Sequence, residues 1–355
     1  MEKTAEKTNV FMKIVRFVVP WKGDSVFEII RKIIFIAGLT ALIVIGVMFL
    51  TGQSEDKADN DRNDELREMY SGVGIDLNIP IEKLEELEKK NPEVLEQFLP
   101  LLEVNDEIAG WLTIGEKGSG FYIDYPVLQT TDNDYYLTHS VDRLQSRSGA
   151  LFADYRNELT AEKQSANVVV YGHNMAAGTY FGLLPRYFNY DVYRNKNDLS
   201  YYEKYPTLTF STLYKTSTYK IFAGILVKVN SGDNDFLYHM IHNFSTKAEF
   251  DDFCAEILDR STFITPDVDL KYGDNLITLS TCILNEAYGV GCEKRWVLFA
   301  REVREGESEE VDVSKAYSNP SPLFFDEYYK ARGGKWEGRG WKEDIIAGYN
   351  QKEED

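Results

Sequence analysis

Residues 276–282 read Leu276-Ile277-Thr278-Leu279-Ser280-Thr281-Cys282, a short apolar and β-branched run that ends in a cysteine. Such a run is a strand, and the cysteine stands where the strand hands over to a loop. Working outward, the same pattern recurs at Gly110–Ile114, Phe121–Leu128, Gly149–Ala153, Asn167–Tyr171, Thr207–Ser211, Tyr219–Val229 and Arg295–Val303, with Asn275–Thr281 as the strand before the cysteine. Polar or glycine-bearing turns separate the eight. That count over roughly 190 residues predicts a mainly β fold, a closed eight-stranded barrel. One helix interrupts the strands. Thr246-Lys247-Ala248-Glu249 has the form of a capping box, followed by Phe250, Phe253, Cys254, Ile257 and Leu258 on one face. Ahead of the strands, apolar residues at helical spacing from Ile81 to Val104, broken at Pro92 and Pro100, predict two short amphipathic helices.

Composition narrows the function classes. The 355 residues are 43% hydrophobic and 14% aromatic, enough for a real core, so wholesale disorder is excluded. Thirty-nine basic against 58 acidic side chains, net charge −19, argue against a nucleic-acid partner, which needs a concentrated basic face. Three cysteines cannot form a disulfide framework, and four histidines with no Cys-x-x-Cys pair argue against zinc.

Ile33–Leu50 contains no charge over 18 positions, spans ~27 Å as a helix, and predicts a single transmembrane anchor. Seven basic and four acidic residues precede it, a balance of +3 that leaves −22 for the remainder. Basic flanks stay cytoplasmic, so the bulk of the chain is expected outside the cell membrane. The resulting division is 1–32 cytoplasmic, 33–50 membrane, 51–80 an acidic stalk extended by self-repulsion, 81–303 catalytic, and 304–355 a C-terminal extension. This extension is acidic at first and then rich in aromatics (Phe324, Phe325, Tyr328, Tyr329, Trp336), and is expected to pack back on the domain, a wall-contacting or regulatory arm being the alternative.

Cys282 at a strand end is fixed on a rigid element yet reachable. A free thiol is only a few per cent thiolate at neutral pH and needs a basic or cationic neighbour. His173 ends an equivalent strand, Asn167-Val168-Val169-Val170-Tyr171-Gly172-His173, with Gly172 loosening the exit; His139, His239 and His242 read as surface or partly buried histidines. Arg295 opens the next strand and, if the last two strands pair antiparallel, lies close to Cys282, where it could donate two hydrogen bonds to an oxyanion. From residue types alone, Cys282 reads equally as a nucleophile and as a buried structural thiol.

Tyr171-Gly172-His173-Asn174-Met175, Thr278-Leu279-Ser280-Thr281-Cys282 and Arg295-Trp296-Val297-Leu298, in this order, resemble a sortase, and specifically class B; Ala109–Ile114, Tyr125–Gln129 and Asp132–Leu137 are similar to the start of that family's barrel. The likeness runs from about Ile81 to Val303. It implies a cysteine transpeptidase of the cysteine peptidase class, needing no cofactor. Such an enzyme cuts a sorting signal of secreted proteins (Asn-Pro-x-Thr-like, after Thr) through a thioester. The acyl group then passes to a lipid II-type peptidoglycan-precursor amine or, in some members, a pilin lysine. It further implies Cys282 as nucleophile, His173 as acid and base, Arg295 as oxyanion stabiliser, Asn133, Leu137, Ser280 and Thr281 along the peptide groove, and a Gram-positive source. A hydrolytic surface peptidase and a membrane-tethered binding module are the alternatives. Cys292, ten residues after Cys282, reads as a spare loop thiol rather than half of a silencing disulfide; Cys254 reads as core.

Overall fold

The computed structural model describes residues 12–13, 15–72, 80–188, 190–191, 196–229, 236–283, 291–330 and 332–338. The chain forms two compact units, Met1–Arg62 and Asn63–Asp355. A continuous helix, α1 (Val26–Ser71), provides most of the first unit and enters the second. Its portion Val26–Met48, 23 residues or ~34 Å of helix, is the one helix among the described residues long and apolar enough to cross a membrane. It starts seven residues before the expected span.

Where an extended stalk is expected from residue 51, the helix continues to Ser71; residues 73–79 of the expected stalk lie outside the described residues. Leu66, Met69 and Tyr70 fall at i, i+3 and i+4, one apolar stripe on an otherwise charged helix, and that stripe packs on the barrel. Leu66 is fully buried, and Tyr70 stacks on Trp111 with centroids 4.3 Å apart. Arg67 donates from Nε to the Asp124 carbonyl at 2.8 Å. The second unit thus starts well before Ile81. Helices α2 (Ile81–Lys90) and α3 (Leu99–Val104) follow, the two predicted between Ile81 and Val104.

Eight strands close into a barrel: β1 (Ile108–Glu116), β2 (Phe121–Leu128), β3 (Leu151–Ala153), β4 (Asn167–Tyr171), β5 (Thr207–Thr212), β6 (Thr216–Lys228), β7 (Leu276–Ile283) and β8 (Gly291–Glu302). Their order around the barrel is β1-β2-β3-β4-β7-β8-β6-β5. Alternation sends Leu112, Ile123, Val170, Leu226, Leu279 and Leu298 to the interior. Neighbouring residues of the later strands face outward and are covered by α4 (Lys247–Arg260), whose Phe253, Cys254 and Ile257 pack on Phe222, Ile225 and Phe299. The capping box forms as expected, Glu249 N–H donating to Thr246 Oγ1 at 3.2 Å and Thr246 N–H to Glu249 Oε2 at 3.3 Å. Leu258, expected on the apolar face, is instead exposed. Cys254 is buried, and burial pushes its thiol well above the usual range.

The described part of the C-terminal extension, up to residue 338, packs back on the barrel; residues 339–355 lie outside the described residues. Arg304 binds Asp274 in a fork (Nε–Oδ1 2.6 Å, Nη2–Oδ2 2.7 Å), Tyr317–Ser318 pairs antiparallel with Phe263–Ile264, and Phe324 and Phe325 bury in the interior cluster.

Removing residues 63–80 uncovers Trp111 and discards the burial of Leu66 and Tyr70. A chain of residues 81–355 should therefore be less stable than one of residues 63–355 by about 2–4 kcal/mol, as read from urea midpoints.

Candidate active site

Strand β7 has a parallel neighbour on one side and an antiparallel one on the other. Along β4 the parallel register pairs Tyr171 with Ser280, so His173 and Cys282, each two residues further on, stand at the same rim of the barrel. Along β8 the antiparallel register sets Arg295 directly opposite Cys282. Opposed residues of a rung point to the same face of a sheet. The three side chains line one cavity of about 240 Å³ together with Asn133, Leu137, Ser280 and Thr281, so all seven residues singled out in the sequence converge. Cys282 is a free, partly exposed thiol.

Backbone and side-chain bonds fix this rim. Gly172 N–H donates to the Ser280 carbonyl at 3.2 Å and Thr281 Oγ1 to the Gly172 carbonyl at 2.8 Å, which carries the β4–β7 contact one residue past the strand. Gly172 therefore does not loosen the exit. A Cβ there would lie 2.3 Å from Leu151 Cδ2 and 2.7 Å from Phe181 Cδ2, so the glycine permits close packing. Asn174 Nδ2 donates to the Cys282 carbonyl at 2.9 Å and ties the segment after His173 to the strand that carries the thiol. His173 Nε2 lies 2.8 Å from the Leu137 carbonyl. Gly149, with φ +57°, admits that carbonyl: a Cβ would approach it to 2.8 Å and the Tyr136 carbonyl to 2.4 Å. Ser280 and Thr281 line the cavity with hydroxyls already engaged, Ser280 Oγ lying 2.6 Å from Tyr238 Oη.

A buried carboxylate underlies one wall. Asp154 is fully buried; its Oδ2 accepts from Asn133 Nδ2 at 3.0 Å and from Tyr171 Oη at 2.8 Å, and Arg156 grips both oxygens, Nε–Oδ1 2.8 Å and Nη2–Oδ2 2.7 Å. Burial pushes the Asp154 carboxyl up, but the Arg156 bonds outweigh it and hold the group below the usual carboxylate range. The same assembly lies against His239 and His242, which burial, aided by the Arg156 charge, pushes down to about 4. Both are neutral at physiological pH.

Sequence reasoning missed Asp154, Arg156, Tyr171 and Asn174. Tyr171 and Asn174 flank His173 in the quoted motif and could have been found by extending it. Asp154-Tyr155-Arg156 directly follows an apolar strand, the only available hint that its charges are buried. Cys292, expected in the connecting loop, belongs by its backbone to β8, and its side chain lies outside the described residues.

A strand-end thiol, an imidazole at the same rim and an arginine on the facing rung define a site able to host thiol-based acyl transfer. Comparison with known proteins gives the family of the chain. Sortase B of Listeria monocytogenes is 30% identical over 263 residues, 72% of this chain and 94% of that protein. The Staphylococcus aureus sortase B–substrate complex superposes with a TM-score of 0.52 at 27% identity, covering 71% of this chain and 99% of that one. A sortase B complexed with triglycine gives the same TM-score and identity over 70% and 99%. No protein-family model matches the chain. The chain belongs to the class B sortases, and its activity is that of a sortase-type cysteine transpeptidase.

The two depressed histidines make stability pH-dependent. Unfolded histidine titrates near ~6.5, whereas His239 and His242 stay unprotonated until about 4 in the folded chain. Between these values the unfolded chain binds more protons, so stability present above pH ~6.5 is lost as the pH falls toward 4. Denaturant titrations at stepped pH should show that fall, and His239→Gln should shallow it between pH ~6.5 and ~5.

Proposed function

We propose that Cys282, His173 and Arg295 are the reacting machinery of this transpeptidase. The observation that carries the reading is the rung joining Cys282 to Arg295, with His173 brought to the same rim by the parallel register. The Cys282 thiolate attacks the carbonyl carbon of the scissile peptide bond. Arg295 stabilises the oxyanion, and the His173 imidazolium protonates the departing amine, leaving a thioester on Cys282. An acceptor amine then attacks the thioester, His173 takes up its proton, and Cys282 leaves as thiolate. Because the thioester conserves the acyl bond energy, transfer to a second amine needs no further energy source.

The donor is the sorting signal of a secreted protein, Asn-Pro-x-Thr-like and cut after Thr. The acceptor is a peptidoglycan-precursor amine. The relatives bound to substrate and to triglycine support a peptide donor and an amine acceptor. Asn133, Leu137, Ser280 and Thr281 form the peptide groove, Ser280 and Thr281 chiefly through shape and backbone, because their hydroxyls are engaged. The helix Val26–Met48 anchors the enzyme in the cell membrane, its basic flank cytoplasmic and its barrel outside.

A quenched Asn-Pro-Gln-Thr-Asn-type peptide with triglycine tests the reading, with mass spectrometry of Cys282. The wild-type chain should form an acyl adduct at Cys282 and a product carrying the glycine amine. Cys282→Ala should abolish both, and Arg295→Ala should lower kcat by about 10²–10³. The rate should be bell-shaped in pH; a rate flat from pH 6 to 9 would sink the acid–base assignment. Cleavage without amine incorporation would make the chain a peptidase toward this pair.

A further inference from the structure

The C-terminal extension sets Phe325 and Glu327 beside the strand that carries Arg295. In β8, Lys294 stands directly opposite Lys228 of β6, and the next rung sets Arg295 opposite Val227. Trp296 and Leu226 face the barrel interior, so alternation directs Lys294 and Lys228 to that side and Arg295 to the outer face, where Cys282 lies. Both lysine side chains are only 16% exposed. Like charges facing each other across a rung repel, the more so when shielded from water. That repulsion acts on the ends of β6 and β8 next to the arginine.

Glu327 stands between them. It belongs to α5 (Asp326–Lys330), and its Oε1 accepts from Lys228 Nζ at 2.8 Å while Oε2 lies 3.5 Å from Lys294 Nζ. The Phe325 ring lies 5.1 Å from the same Lys294 nitrogen, within cation–π reach. The carboxylate is well anchored. Phe324 and Phe325 insert among the interior side chains just before it, and the extension is fastened upstream by Arg304 on Asp274 and by Tyr317–Ser318 on Phe263–Ile264. Glu327 thus sets a negative charge between two like charges, one residue from Arg295.

We propose that Glu327 is a positioning residue: by bridging Lys228 and Lys294 it holds the end of β8 so that Arg295 faces Cys282. This rests on the reading of Arg295 as the group that acts beside the thiol. It gives the C-terminal extension a part in the reaction without contact with substrate.

The test needs no knowledge of the sorting motif. In the full-length chain in detergent, Cys282 is alkylated with iodoacetate, which carries a carboxylate, and separately with neutral iodoacetamide; peptide mapping follows that residue alone. The rate ratio of the two reagents reports a cation beside the thiol. Arg295→Ala should lower the ratio. Glu327→Gln should lower it by about threefold or more, although deleting a nearby negative charge would by simple electrostatics raise it. Lys228→Gln added to Glu327→Gln should restore the ratio to within about twofold, because the repulsion is then gone. A ratio that rises or stays level in Glu327→Gln overturns the proposal. A drop that Lys228→Gln does not restore also overturns it, since it marks general loss of structure. If Arg295→Ala leaves the ratio unchanged, the reading of Arg295 fails and the proposal fails with it; if only Glu327→Gln is silent, the proposal alone fails.

Discussion

The arrangement of this protein depends on the mixed pairing of one strand. Had β7 been antiparallel to β4, the residues following each would lie at opposite ends of the barrel, and His173 could not approach Cys282. Parallel pairing aligns the two exits, while antiparallel pairing with β8 folds the next strand back so that its beginning meets the end of β7. A cysteine, a histidine more than a hundred residues earlier and an arginine thirteen residues later then share a rim. The barrel supplies rigidity to three residues that would be mobile on loops, and closure removes strand edges that would otherwise recruit other chains.

Much of this was legible in the sequence because strands announce themselves locally. Phe121–Leu128 and Asn167–Tyr171 have the predicted limits, and the Thr246 cap formed at the predicted residue, since both depend on side chains a few positions apart. The acidic segment after the apolar helix reads as an extended stalk because its charge dominates the average. Its three apolar residues make a stripe whose value appears only once Trp111 is available to receive it. Gly172 misleads for a similar reason. The sequence shows a residue without a side chain, and only the fold shows Leu151 and Phe181 occupying the space.

The site divides in the same way. Cys282, His173 and Arg295 can be picked out because strand ends and motif order single them out, and the other four residues of the cavity follow from family likeness. The support beneath them could not be found so. Asp154 binds Asn133 and Tyr171 from below, and its partner Arg156 reaches back to the His239 carbonyl at 3.2 Å. These contacts join chain segments far apart in sequence. A buried ion pair gains little net stability over apolar packing, but loss of either member leaves a stranded charge, so such a network holds the cavity wall to one geometry.

The short contact between His173 and Leu137 carries one more consequence. A backbone carbonyl can only accept, so Nε2 must carry a hydrogen whether the ring is neutral or charged. Every proton that the imidazole gains or surrenders therefore passes through Nδ1. The tautomer and the orientation of the ring are therefore selected before any substrate arrives. Protonation changes the charge of the ring without requiring it to turn.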